Sequence, residues 1–522
     1  MADTRPPGPV AYRPGQHNIQ RWGLDIHHPV FPVSAVLAIL FVAGVLLAPG
    51  PARESFEALK QWTILRFDTV YLLNGNFFVI FCLALALSPL GRIRLGGADA
   101  RPEFTRSSWF AMLFAAGMGI GLMYWGVAEP TAYYTGWSGT PLGVEARTPR
   151  AAELAMSATM FHWGLHPWAI YAVVGLALAF ASFNNGLPLT IRSAFHPLLG
   201  DRVWGPWGHV IDVVAVLSTL FGLASSLGLG AMQAAAGVSF LTGIESGFGL
   251  QLVIIVLVTF LAGVSVVRGL DRGVKILSNI NMLVAMFLLG FVLLAGPTAA
   301  ILRTLGTTLV GYATDMLALA SPGDRPDKAW MQGWTIFYWA WWTSWAPFVG
   351  MFIARISRGR SVREFVIAVL LVPALVTLLW MSTFGGAALD QVQSGTGALA
   401  SGIDRVELAL FQMLANLPLS ALSSAVGIAL VLIFFMTSSD SGSLVIDTIT
   451  AGGKTDPPVV QRMFWAGLQG AVAAVLLFGG GAEALTALQA MTIAVGVPFS
   501  LLVLAMCASL AIGLHRERRA HR

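Results

Sequence analysis

GWTIFYWAWWTSWAPFVG, residues 333–350, holds five tryptophans and a tyrosine and no charged side chain. Read as one helix turning ~100° per residue, it places Trp334, Tyr338, Trp341, Trp342 and Trp345 on a face covering roughly a quarter to a third of the circumference. Trp339 falls well away from that face. Aromatic belts sit at the two ends of a membrane helix, whereas this run fills one face for about three turns. Core packing is the plain alternative, but a filled face inside an uncharged segment reads as a wall for a ligand. The matching ligand is a quaternary ammonium ion, which is drawn to ring faces and has no N–H to donate.

The whole chain supports a membrane setting. Of 522 residues, 56% are hydrophobic and 11% charged, against about a quarter charged in soluble domains. Apolar runs long enough to cross ~30 Å of hydrocarbon occupy residues 32–48, 74–93, 107–128, 154–182, 208–236, 249–267, 275–296, 333–354, 364–386, 422–446, 463–480 and 489–514. Twelve is even, so both ends face one side. That side carries 22 of the 31 Lys and Arg residues and the other side 9, which makes both termini cytoplasmic. The net charge of +5 therefore reports topology, and no nucleic-acid partner is indicated. Cys82 and Cys507 lie within spans and imply no disulfide framework.

The expected layout is a disordered cytoplasmic tail over 1–31 with no cleavable signal peptide, two accessory helices over 32–98, a ten-span core over 99–514, and a short basic tail over 515–522. The core divides into two five-span units, about 107–296 and 333–514. An odd number of spans orients the second unit opposite to the first, the inverted repeat that builds a midplane site between broken helices.

Within the first unit, FAAGMGIG at 114–121 puts Gly117, Gly119 and Gly121 at alternate positions, and Glu129-Pro130 closes the segment. Spacing alone fits close helix packing as well as an unwound turn, because three glycines in five residues remove most local helical preference. Unwound carbonyls at mid-membrane hold cations. The fourth span carries Trp163, Trp168 and Tyr171, with Pro167 expected to bend it, as a second aromatic face. His162 and His166 stand four residues apart without an acidic or Cys partner on their helix, so a metal site is not expected. Hydroxyls of Thr219, Ser225 and Ser226 in span five suit bonds to their own helix carbonyls. Arg268, Asp271, Arg272 and Lys275 form a short loop before span seven. Residues 299–316 read as a surface-lying helix, and the basic loop at 355–360 as a topology anchor. Asp440, near the end of span ten, is the acid placed nearest the membrane interior, and an intramembrane carboxylate points to an ion site or gate.

AAGMGIGLMYWGVAEP (115–130), HWGLHPWAIYAVVGLALAF (162–180), KILSNINML (275–283), WTIFYWAWWTSWAPFVGMFIARISRGR (334–360) and TSSDSGSLVIDTITAGG (437–453) together resemble the betaine/choline/carnitine transporter family, closely over spans three to ten. The resemblance implies an all-α polytopic membrane protein of twelve transmembrane helices, with a leucine-transporter-like 5+5 inverted-repeat core behind two extra helices. It also implies a homotrimer in the cell (inner) membrane that imports trimethylammonium osmoprotectants by symport. By similarity, Trp163, Trp168, Tyr171, Trp341, Trp342 and Trp345 match the aromatic box and its approach, with Met118, Gly117, Gly119 and Gly121 beside it. A coupling Na⁺ would fall on Ala115, Met118, Phe434, Thr437 and Ser438. A second would draw on Ala116, Thr219 and Phe348, but Leu223 stands where a hydroxyl donor is expected. Choline-carrying relatives tend to have Asp at the position of Gly121, so a zwitterion that brings its own carboxylate, glycine betaine first, fits this chain better. Osmosensing members carry a long charged C-terminal extension, in contrast to the eight residues after Leu514 here.

Carnitine, choline, ectoine or dimethylsulfoniopropionate, with proton coupling or exchange, form the alternative reading. No cofactor beyond Na⁺ is expected. An enzyme is not expected either, since His162 with His166 and Ser443 with Asp440 lack catalytic partners, and no soluble signalling domain suggests a receptor.

Overall fold

The computed structural model describes residues 12–117, 119–267 and 271–520. Met118, Arg268 and the first eleven residues of the expected tail lie outside the described residues. Side chains of the basic loop at Asp271, Arg272 and Lys275 are likewise outside them.

The tail is not wholly disordered. Strands β1 (Asn18–Arg21) and β2 (Leu24–His27) pair antiparallel across a two-residue turn in which Trp22 and Gly23 both take positive φ, 53° and 76°, the turn whose twist suits a hairpin. The other regular elements among the described residues are helices. Helices α1 (Val30–Leu47) and α2 (Pro49–Leu87) precede the core. The segment at 49–70, which lies between the first two expected spans, belongs to α2. Pro49 and Pro51 stand in its first turn, where a missing N–H leaves no helical bond unmade.

The first unit begins with α3 (Arg106–Gly117) and α4 (Ile120–Thr135), which meet at 63°; the glycine run therefore does break the span. Next come α5 (Pro149–Trp163) and α6 (Leu165–Ala179). Their junction is Gly164, at φ −97°, ψ −124°, rather than the expected Pro167. Pro167 sits in the first turn of α6, where its missing N–H costs nothing. A Cβ on Gly164 would lie 2.6 Å from the Met160 carbonyl and 2.7 Å from the Tyr312 hydroxyl. After the short α7 (His196–Leu199) follow α8 (Pro206–Thr242), α9 (Phe248–Val267) and α10 (Asp271–Ala295).

Helix α11 (Thr298–Ala320) is the expected helix between the units. It packs on α5, where Arg150 grips Asp315 (2.6 and 3.3 Å), and at the start of α6 the Leu165 N–H donates to the Tyr312 hydroxyl at 2.9 Å. The second unit comprises α12 (Lys328–Gly333), α13 (Thr335–Arg355), α14 (Val362–Gln393), α15 (Ala409–Leu414), α16 (Ser420–Thr450), α17 (Val459–Gly480) and α18 (Ala484–Ala520). The expected C-terminal tail is helical through Ala520. Length and mean hydropathy qualify nine segments among the described residues as spans, or ten with the bent α3–α4 pair. Among the described residues helix covers most of each of the twelve expected segments, but α17 and α18 count together, and the indole and phenol groups of α13 lower its hydropathy.

Packing partners exchange between the units. Helix α13 packs on α6, and α14 packs on α3 and α4. Helices α8 and α16 pack on each other; α8 also takes α17 and α18, as α16 takes α9 and α10. The basic loop after α13 does more than anchor topology: Arg360 is buried over Trp109 at 4.6 Å, and Arg363 donates to the Ala86 carbonyl at 2.6 Å.

The hairpin is tied to the α16–α17 loop. Gly15 N–H donates to the Gly452 carbonyl at 3.1 Å, the Asn18 amide to Ala451 at 2.8 Å, and Lys454 pairs with Asp25. His27 is fully buried beneath it. Burial pushes its imidazole down to about 3, with the Arg192 guanidinium and neighbouring His209 and His17 adding to the effect. A detached His27 titrates near 6.5, so the detached hairpin binds more protons below that pH. Docking is therefore complete above about pH 6.5 and weakens as pH falls toward 3. Hydrogen exchange of residues 18–27, corrected for intrinsic rates, is expected to show opening that rises up to about tenfold per pH unit in this window, with His27→Gln flattening the dependence.

Candidate functional site

Trp334 is the single residue between α12 and α13, at φ −107°, ψ −63°. Its ring packs on Trp125 (5.4 Å) and Tyr133 (4.9 Å). Trp334 therefore drops out of the expected wall. Trp339 is turned the other way, as its spacing implied. It stacks on His166 at 5.2 Å, and a Cβ on Gly75 of α2 would lie 2.8 Å from its indole nitrogen.

The remaining tryptophans of the stripe meet the second aromatic face. One cavity is lined by Trp163, Trp168 and Tyr171 of α5 and α6, by Trp341, Trp342 and Trp345 of α13, and by Ala116, Gly119, Gly121 and Ser226. The rings stand mostly edge to face. Trp163 and Trp342 are 4.8 Å apart at 82°, Trp168 and Tyr171 5.3 Å at 79°, and Tyr171 and Trp342 6.0 Å at 89°. Trp341 and Trp342 lie more nearly parallel, 5.3 Å apart.

Four indole N–H groups are committed to protein acceptors. Trp341 donates to Ser226 Oγ at 2.9 Å, and Trp345 to the same oxygen at 3.1 Å and to the Gly222 carbonyl at 3.0 Å. Trp342 donates to the His162 carbonyl at 2.8 Å, an acceptor in the last turn of α5, where the break at Gly164 leaves carbonyls without helical partners. Trp163 donates to Glu129 Oε2 at 2.7 Å. These rings thus present π surface to the cavity rather than hydrogen-bond donors, an arrangement suited to a cation that has no N–H.

Gly121 packs directly against this wall. A Cβ there would lie 2.6 Å from Trp163 Cη2 and 2.8 Å from Trp341 Cη2. Gly117 ends α3, one side of the break.

The structure distributes the expected cation ligands as follows. Thr437 Oγ1 donates to the carbonyls of Ile433 (2.9 Å) and Phe434 (3.2 Å) in its own helix, with Ser438 next along α16 and Ala115 in the last turn of α3. Ala116 reaches the cavity. Thr219 Oγ1 donates to the Ala215 carbonyl at 2.8 Å, and Phe348 packs against Trp345 at 5.5 Å. Leu223 is used in packing: a Cβ on Gly442 would lie 2.3 Å from Leu223 Cδ1, so this leucine fills the contact between α8 and α16. Asp440, expected as part of an ion site or gate, accepts from Arg462 of α17 at 2.5 Å and from Ser265 at 3.3 Å. The interior acid finds its partner on the next helix. Ser443 donates to the Asp440 carbonyl at 2.8 Å, and His162 and His166 serve different partners, Glu129 (2.9 Å) and Asn76 (3.1 Å).

Sequence reasoning passed over Glu129, Tyr338 as its partner, and Ser226. Glu129 was legible as the one acid in an otherwise uncharged run, but it was read as closing a span; α4 continues to Thr135 and buries it completely. Ser226 resembles any membrane serine until α13 is packed against α8.

A family model described as betaine/carnitine/choline family transporter matches residues 29–519. The chain belongs to that family. It is 59% identical over 510 residues, 97% of each chain, to glycine betaine transporter 1 of Vibrio parahaemolyticus. It is 55% identical to a glycine betaine/proline/choline/ectoine transporter of the same organism, over 98% of this chain and 91% of that one. With the glycine betaine transporter OpuD of Bacillus subtilis it shares 44% identity over 93% and 94% of the two chains. This member of the betaine/carnitine/choline family is a multi-pass membrane carrier and not an enzyme.

Gly121→Ala tests the close approach at the wall. The added methyl is expected to displace Trp163 and Trp341 at a cost of about 1–3 kcal/mol, to shift tryptophan emission, and to weaken binding of a quaternary ammonium compound at least tenfold. Unchanged emission and binding would show that the rings do not meet at Gly121.

Proposed function

We propose that this carrier imports a trimethylammonium zwitterion, glycine betaine above all, by Na⁺ symport for osmoprotection. The observation that carries the reading is the cavity in which four of the five lining tryptophans have their N–H groups bonded to Glu129, His162, Gly222 and Ser226. A methylated ammonium needs ring surface and no acceptor. At about 1–2 kcal/mol per desolvated ring, three or four rings supply several kcal/mol, and micromolar binding, about 8 kcal/mol, requires help from the carboxylate end. Gly121 carries no anion beside the rings, which favours a ligand with its own carboxylate. A broader set that includes choline and ectoine is the second reading, supported by the name of the relative at 55% identity.

In this proposal the core is two five-helix units, about 107–296 and 333–514, of opposite orientation; the exchanged packing partners of α13 with α6 and α14 with α3 and α4 support it. Both termini are cytoplasmic, the carrier sits in the inner membrane, and it assembles as a homotrimer. One Na⁺ binds at Ala115, Met118, Phe434, Thr437 and Ser438, steadying the break between α3 and α4 in the form that receives betaine, after which one bundle rocks against the other. The set of Ala116, Thr219 and Phe348 is the poorer Na⁺ site, because Leu223 offers no oxygen where a hydroxyl donor is expected, so coupling to a single Na⁺ is the proposal.

The test is labelled betaine uptake in proteoliposomes. Uptake is expected to follow an inward Na⁺ gradient and to fail with a proton gradient alone, while Na⁺-independent, proton-driven uptake would overturn the coupling. In the same assay Trp342→Leu is expected to raise the half-saturating betaine concentration about five- to thirtyfold, the loss of one ring's contact.

A further inference from the structure

Behind the aromatic wall lies a buried carboxylate with, among the described residues, no fixed cation beside it. Glu129 is fully buried, and all four acceptor positions of its ionised form face groups able to donate. Oε1 meets the Tyr133 hydroxyl and His162 Nδ1, each at 2.9 Å. Oε2 meets Trp163 Nε1 at 2.7 Å and the Tyr338 hydroxyl at 2.5 Å. Among the described residues its ion-pair partner is His162, which is charged only when doubly protonated. The opposite ring nitrogen, Nε2, lies 2.9 Å from the Thr335 hydroxyl. A hydroxyl that donates to Nε2 satisfies the neutral ring with its proton on Nδ1. Arg325, on the loop before α12, is occupied by Asp327. With His162 neutral, these five side chains hold one negative charge and no positive one.

Such a charge is costly to bury unpaired. Its indole partner is also a wall of the cavity: Trp163 bonds Glu129 through Nε1, while its Cη2 edge faces Gly121 and the cavity. We propose that Glu129 is the fixed anion of the binding site, a specificity-determining residue one indole removed from the ligand, whose counter-ion is the ammonium group of the substrate. Two effects follow from the geometry. The carboxylate places negative potential in the cavity through low-dielectric surroundings, where charges are weakly screened. It also polarises the Trp163 indole through a charge-assisted hydrogen bond, which strengthens the attraction of the ring for a cation. The inference rests on the betaine reading above and explains how a site without an anion at Gly121 still prefers a positive head group.

The test compares glycine betaine with 3,3-dimethylbutanoate, which has the same shape and carboxylate but a neutral tert-butyl head. Half-saturation by betaine and inhibition by the isostere are measured for wild type and Glu129→Gln in proteoliposomes. Glu129→Gln is expected to weaken betaine about tenfold or more and to leave the isostere within about threefold, so that the preference between them collapses. Equal weakening of both ligands would mean that Glu129 only positions Trp163 and Tyr338, and would overturn the proposal. If Glu129→Gln does not fold, Glu129→Asp replaces it. That variant keeps the charge and must keep the betaine preference within about threefold, and loss of the preference overturns the proposal. A wild type that takes up no betaine removes the underlying reading, and this inference with it. Wild-type uptake with an unchanged preference in Glu129→Gln removes the inference alone.

Discussion

Inside a bilayer every backbone N–H and C=O must find a partner within the protein, and this carrier breaks two of its central helices under that constraint. The break between α5 and α6 leaves Leu165 N–H to the Tyr312 hydroxyl and the His162 carbonyl to Trp342. Within the first turn of α4, Trp380 of α14 donates to the Leu122 carbonyl at 3.1 Å and Gln233 of α8 to the Met123 carbonyl at 2.7 Å, second bonds that fasten the helix after the glycine break to its neighbours. Each stabilising partner comes from another helix, so the irregular turns exist only in the assembled bundle. The same bonds set the positions of the aromatic side chains.

That link shapes the surface that the cavity presents. A tryptophan whose N–H is free invites a hydrogen-bonding ligand, whereas one whose N–H is anchored offers its π surface. Here Ser226 receives two indoles at once, which fixes the wall helix α13 against α8. Glu129 receives Trp163 and Tyr338 together, tying α4, α5 and α13 around a single carboxylate. Four of the lining indoles thus have their N–H groups occupied by protein acceptors.

Charges elsewhere are placed so that they do not compete with that site. Asp440 is matched by Arg462 and Arg192 by Asp212 at 2.5 Å, and Arg360 by Glu364 at 3.0 Å. These pairs join successive helices or fasten the loops that connect them. The terminal hairpin, held by Asn18 and Lys454 over the α16–α17 loop, closes one end of the bundle above them.

Much of this was legible in the chain. Hydropathy located the helical segments, because a span must be apolar along its length, and three alternate glycines marked the break between α3 and α4, because they remove local helical preference. Spacing brought Trp341, Trp342 and Trp345 to one face and set Trp339 apart. Other features depended on contacts made only on folding. Local sequence could not move the second break from Pro167 to Gly164, since the choice depends on Tyr312, almost 150 residues away in the chain, approaching the backbone. Nor could it remove Trp334 from the wall or pair Asp440 with Arg462. Periodicity therefore determined which side chains share a helix face, a property of the helix alone. Whether a face meets a cavity, a carboxylate or another helix was decided by tertiary packing, because hydrogen-bond partners for indoles and buried acids come from neighbouring helices whose approach no local pattern encodes.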